Sequence, residues 1–343
     1  MTCLRMLFSV VLVVGLAMPM TASGDHAKKA QPGSILVFPE FLTGTVDNGD
    51  ETVLPRSSFE ISVVCPPGTP VTNVFCTDLM GNAKTVYIKF KWVCPPGVTS
   101  DPYYCADTDF ILSATINGTL WINPENISNT GQPGPDPLVS KPVCPQGFLI
   151  AWVIDGPVTQ RPMTFNGLLG DAILRPTDFT HVAAYNAIPI VGEGLTGLIH
   201  TGTDTLRFGT DYASLELKFY GSVRFEDSNT QTLLTLLTLN IDANTNNNQD
   251  NFVSLNFYNE KEDLHSSGTD VICWKQIEVP SASDMLGLKG LVTATNTSGR
   301  SLLGLIRTVE VVPGTSSFRG YAYRVYLDED SFTATDRFTQ GAP

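Results

Sequence analysis

The sequence predicts an all-β protein of antiparallel sheets, most simply two Ig-like or jelly-roll-like β-sandwiches in tandem. Three observations carry this. Short apolar segments alternate with polar residues at a period of two, between clusters of Gly, Pro and Asn. No stretch combines helical periodicity with caps. Charge is sparse, at 16% Asp, Glu, Lys and Arg, while 29 Gly and 23 Pro supply the turns that many short strands need.

Regular structure is expected to begin at residues 34–38 (SILVF), a strand stopped by Pro39, with a turn-rich stretch at 44–50. Residues 59–64 alternate and run into a Cys-Pro-Pro-Gly turn. The clearest strand is 85–93, where Val86, Ile88, Phe90 and Trp92 share one face and Tyr87, Lys89 and Lys91 the other. A period of two then puts the apolar face on a core and a basic face in water. Segments 109–116 and 119–122 flank Asn117-Gly118, the strongest short hairpin signal. Residues 129–137 (NTGQPGPDP) read as a loop and 148–154 (FLIAWVI) as a central strand. Strands follow at 163–165, 168–174 and 182–190.

The second half resumes with 214–225, then 232–241, 252–258, 270–279, 303–312 and 318–327. Segment 232–241 is ambiguous: its leucines suit a helix face, and its interleaved threonines favour a strand. The glycine- and threonine-rich residues 192–204 mark a boundary. The expected organisation is a signal peptide at 1–23, a polar leader at 24–33, a disulfide-stapled sandwich at 34–200 and a second sandwich at 201–343.

The first residues read as an export signal, with Arg5, an apolar run at 6–17 and small residues that permit cleavage after Ala22 or Ser23. The apolar run is shorter than the roughly 20 residues that cross a bilayer. No later stretch is apolar enough to span, so no integral membrane segment is expected in the mature chain. The expected location is extracytoplasmic: periplasm, outer surface or medium. A net charge of −13 repels phosphate backbones and argues against nucleic-acid partners.

Of seven cysteines, Cys3 leaves with the signal peptide. The even remainder, Cys65, Cys76, Cys94, Cys105, Cys144 and Cys273, favours disulfides in an oxidising compartment. Cys65-Pro-Pro-Gly68 precedes Cys76, and Cys94-Pro-Pro-Gly97 precedes Cys105, at identical spacing. Read as two hairpins, these give Cys65–Cys76 and Cys94–Cys105, leaving Cys144–Cys273. The competing arrangement pairs Cys76 with Cys94. A Cys144–Cys273 bridge would staple one half to the other across the boundary near residue 200.

Candidate sites are few. Asp242, Asn244, Asn246, Asn248 and Asp250 place oxygens at alternate positions, as a calcium loop does, although Val253 stands where such a loop carries its bidentate glutamate. A solvated Asn-rich loop is the plainer expectation, and any calcium there is expected to be structural. No other cofactor is expected. Gly192, Gly194 and Gly197 match the dinucleotide-binding spacing, but the residues after them are not helix-forming, so they read as a loop. The acidic cluster Glu260, Glu262 and Asp263 beside His265 reads as an exposed loop. Trp92 and Trp152 lie in apolar strands and read as core; Trp121 is the surface candidate for stacking on a sugar.

Three strings carry a resemblance: SILVFPEF at 34–41, MTFNGLLGD at 163–171, and N-E-x-E at 259–262 leading to V-I-C-W at 271–274. Together they resemble a group of bacterial secreted proteins that begin with an L-x-F-P-x-F strand and have no assigned activity. The resemblance implies an exported bacterial β-sandwich and transfers no catalytic residue. The leading expectation is a secreted or surface-associated structural or adhesive protein without catalysis, partnered by a surface polymer, glycan or protein. One alternative is a carbohydrate-binding module or polysaccharide-active enzyme, with Trp121 beside two acids. Another is a fibre subunit that exchanges the strand at 35–38.

Overall fold

The computed structural model describes residues 31–339, apart from 48–52, 67, 69–74, 79, 99–101, 128–137, 176–181, 201–204, 243–247, 249–250, 312–317, 325, 328–332 and 335. The expected signal peptide and most of the leader lie outside the described residues, as do Asn244, Asn246 and Asp250. The protein is all-β, with mostly antiparallel sheets and no closed barrel among the described residues. Its one described helix, Ala282–Met285, is a single turn capped by the Ser281 hydroxyl, which accepts from the Asp284 N–H.

The first half is two facing sheets. One has five strands, in spatial order Ile188–Ile190, Ile35–Leu42, Gln146–Ile154, Thr85–Val93 and Asp107–Thr115. The other has four: Ala183–Asn186, Leu168–Leu174, Ser57–Val63 and Thr119–Ile122. Alternation sends Leu36, Phe38, Ile88, Phe90, Trp92, Leu149 and Val153 into the space between them, against Phe59, Ile61 and Leu168. Edge-on aromatic contacts fill it, with ring centroids 5.0 Å apart for Phe38–Phe59 and 5.1 Å for Phe41–Trp92. The segment 163–165 is extended but joins no sheet; Met163 makes an isolated bridge to Ile199.

The second half also contains a five-stranded and a four-stranded sheet. Its five-stranded sheet runs Leu264–Val271, Asn251–Asn259, Lys289–Asn296, Lys218–Arg224 and Tyr326–Leu327; its four-stranded sheet runs Trp274–Glu278, Thr230–Leu237, Leu303–Val311 and Phe318–Arg324. The ambiguous leucine–threonine segment is the strand Thr230–Leu237, and both its faces are covered. Thr232, Leu234 and Leu236 share one buried face, on which the two leucines enter the core, while Thr235 is buried on the other side.

The two halves do not stand apart. The second face of the first half's five-stranded sheet carries Ile35, Val37, Phe148, Ile150, Trp152 and Ile154. These belong to one continuous buried cluster with Leu206, Phe208, Tyr212, Phe219, Leu255 and Ile306 from the second half. Lys89 and Lys91 lie on that covered face, so the wet basic face expected for this strand does not exist: both are 2% exposed. Their charges are met across the strand pair. Lys89 Nζ is 2.8 Å from Asp109 and donates to Gln160 Oε1 at 2.9 Å, and Lys91 pairs with Asp107.

The disulfides are Cys65–Cys76, Cys94–Cys144 and Cys105–Cys273. The first is as expected, and the expected Cys94–Cys105 and Cys144–Cys273 are not formed. Parity explains the correction. Cys94 N donates to Ala106 O at 2.8 Å, so Cys94 faces Ala106 and sits one residue out of step with Cys105. Successive side chains point to opposite faces. Cys94 therefore enters the first half's inner core and bonds Cys144, while Cys105 points into the shared core and bonds Cys273. A bridge between the halves does exist, through Cys105.

Candidate functional site

A β-bulge builds the buried joint between the halves. Register along Ile35–Leu42 shifts between Phe38, opposite Leu149, and Phe41, opposite Gly147. The extra residue swings Glu40 away from the inner core and toward the second half. There its carboxylate accepts from Arg307 Nη2 at 2.9 Å and Nε at 3.2 Å, and from Gln276 Nε2 at 3.1 Å. The Tyr185 hydroxyl donates to the Glu40 carbonyl at 2.5 Å, and Trp274 Nε1 donates to the Pro39 carbonyl at 2.7 Å. Burial, then the nearby Glu40 charge, push the Tyr185 hydroxyl pKa well up and keep it a donor.

A second buried cluster links a hydroxyl, an imidazole and a carboxylate in space, as a hydrolase triad does. His200 Nε2 lies 3.0 Å from Thr164 Oγ1, and His200 Nδ1 lies 3.5 Å from Asp211, which takes both Nε (2.6 Å) and Nη2 (2.9 Å) of Arg207. Sequence reasoning passed over it because its members are 36 and 11 residues apart in a loop region. The geometry is structural. Thr164 is fully buried and its hydroxyl also lies 3.2 Å from the Glu193 carbonyl, so it is neither free nor open to substrate. Burial lowers the His200 pKa, Asp211 opposes that shift and Arg207 adds to it. The cluster ties the connector between the halves to the first sandwich.

Of the five calcium-loop candidates only Asp242 and Asn248 are among the described residues. Asn248 is buried, and its side-chain amide donates to the Tyr103 carbonyl at 3.1 Å, so it links the halves. Asp242 ends a two-residue strand. Among the described residues no group of three or more His, Cys, Asp or Glu is placed to hold a metal. Gly192, Gly194 and Gly197 form a loop with no helix after it, and a Cβ at Gly197 would strike the Phe75 ring at 1.9 Å. Glu260, Glu262 and Asp263 make an exposed turn, organised by Asn259 Oδ1 accepting from the Lys261 and Asp263 N–H groups. Trp92 and Trp152 are core.

Two open sheet faces remain. The outer face of the second half's five-stranded sheet aligns Leu264, Tyr258 and Leu291 in one cross-strand row, and Ser266, Asn256 and Thr293 in the next. Phe252 lies further along, over Gly268, where a Cβ would sit 2.4 Å from Phe252 Cζ. Phe252, Leu264 and Leu291 are 48%, 56% and 38% exposed, while Val253, Leu255 and Phe257 on the inner face are buried. The outer face of the first half's four-stranded sheet aligns Trp121, Glu60, Asp171 and Asn186 across four strands. Trp121 and Glu60 are half-buried, and Asp171 and Asn186 are exposed.

No family model matches the chain, and no curated protein matches it. No helix among the described residues is long and apolar enough to cross a membrane.

Proposed function

We propose that this is an exported, non-catalytic adhesive or structural protein that binds through an open sheet face. The observation that carries the reading is the row Leu264–Tyr258–Leu291 with Phe252, set among hydroxyl and amide side chains. Apolar side chains left in water on a regular sheet, between groups that hydrogen-bond, suit adsorption to a surface polymer or protein. The three disulfides suit an oxidising, extracytoplasmic location. The buried Thr164–His200–Asp211 and Glu40–Arg307 groups serve packing in this reading.

The row Trp121–Glu60–Asp171–Asn186 favours a second reading, carbohydrate binding by the first half, since an indole beside carboxylates stacks on a sugar ring and accepts from its hydroxyls. The fibre-subunit reading draws no support from the strand it would detach. Ile35–Leu42 is buried along its whole length between two partners. Adsorption isotherms on cellulose, chitin, peptidoglycan and apolar beads separate the two readings. The leading one expects Phe252→Ser/Tyr258→Ser to weaken adsorption at least tenfold at unchanged Tm, with Trp121→Ala neutral. Loss with Trp121→Ala alone replaces it by the second, and no adsorption of the wild-type protein contradicts both.

A further inference from the structure

Among the described residues, the strand Asp107–Thr115 is an edge of its sheet and pairs on one side only, with Thr85–Val93. Cys94 N donates to Ala106 O at 2.8 Å and Ile116 N to Lys84 O at 2.9 Å, so positions 106 and 116 are both hydrogen-bonded pairs. Antiparallel ladders alternate, so Thr108, Phe110, Leu112 and Ala114 use their peptide groups within the sheet. The peptide groups of Asp109, Ile111 and Ser113 point outward, away from the ladder.

A cavity of about 440 Å³ lies along this edge. Residues 109–113 form its floor. Leu138, whose neighbour Val139 sits in the core with Phe110 and Leu112, closes one side. Pro157 and Gln160 close the other, where Gln160 receives the Lys89 ammonium.

We propose that this groove accepts one extended polypeptide segment of a partner, added as a sixth strand to residues 109–113. Three outward peptide groups offer N–H and C=O partners at the spacing that a strand presents. Walls on both faces admit a single strand, whereas the edge of a second folded sheet would bring its own walls into collision. The two sides select side chains. Leu138, Phe110 and Leu112 take apolar residues, and Gln160 with the mutually neutralised Lys89–Asp109 pair takes uncharged hydroxyl or amide residues. The segment recognised is thus flexible and alternates apolar with uncharged polar residues. This is independent of the sheet-face reading and uses the opposite role from the detachable strand: this chain accepts.

The test uses the whole protein and a Val/Thr-alternating heptapeptide flanked by lysines, with its backbone N-methylated counterpart as control. Titration calorimetry is read with amide exchange at Asp109, Ile111 and Ser113. The expected result is saturable binding, slowed exchange at those three amides and at least tenfold weaker binding of the N-methylated peptide. Ser113→Pro removes an outward N–H that the ladder does not use, so Tm should hold while binding falls at least tenfold. Should Ser113→Pro not fold, the N-methylated peptide alone decides. No binding to the wild-type protein, equal binding of the N-methylated peptide, or full binding to a folded Ser113→Pro overturns the proposal. So does concentration-dependent self-association abolished by Ser113→Pro, which would make the occupant a second copy.

Discussion

Glu40 forms a buried ion pair with Arg307 of the second half, so its substitution reports on the joint directly. Glu40→Gln keeps the size but leaves the buried Arg307 guanidinium without a counter-charge, which costs about 3–5 kcal/mol. Replacing both Glu40 and Arg307 by Met removes the charge conflict and should recover most of that loss, so a double-mutant cycle in urea should show strong coupling. His200 gives a pH signature. Its folded pKa lies below the ordinary value of about 6.5, so the unfolded chain binds the proton more readily. Its contribution is complete above that ordinary value and is lost as pH falls from there toward the folded pKa. His200→Gln should flatten this part of the stability–pH curve between pH 7 and 5. Neither group was legible as a joint in the sequence. Glu40 follows a proline in an apolar strand, and only the bulge decides which way it faces.

At the scale of elements, alternation was legible wherever one face is apolar. Residues 168–174 were delimited to the residue, and Asn117-Gly118 closes its hairpin with Asn117 at φ 66°. Alternation misled where both faces are buried. Lys89 and Lys91 looked like a solvent face because buried lysines are rare; the only counter-signal was the matching D-x-D at Asp107 and Asp109 on the next strand. The strands Leu264–Val271 and Lys289–Asn296 went unseen. The first is exposed on both faces nearly throughout, so it has no apolar period to detect; the second buries only Val292, Ala294 and Asn296. Both belong to the candidate binding sheet, which is why sequence reasoning missed that site. Lys91→Ala should destabilise by about 3 kcal/mol, because Asp107 is left nearly buried and unpaired. Ser254→Ala, on the open face, should stay within about 0.5 kcal/mol. Thermal denaturation of the two variants checks both.

At the scale of the whole molecule, sheets of both halves share one buried core among the described residues, and this sharing is what the sequence concealed. Patterns along a chain show that a face is apolar but not which distant face covers it. The second face of the Ile35–Leu42 sheet is apolar at Ile35, Val37, Ile150 and Trp152, and the second half covers it. The cysteines record the same fact covalently. Closing the 168-residue separation between Cys105 and Cys273 is worth about 5 kcal/mol in the chain-entropy model, so the bridge contributes as much as the Glu40–Arg307 pair protects. Non-reducing proteolysis with mass spectrometry tests this arrangement most directly. The account predicts Cys65–Cys76, Cys94–Cys144 and Cys105–Cys273. Recovery of Cys94–Cys105 and Cys144–Cys273 would contradict it, because those pairs require Cys94 and Cys105 to share a face.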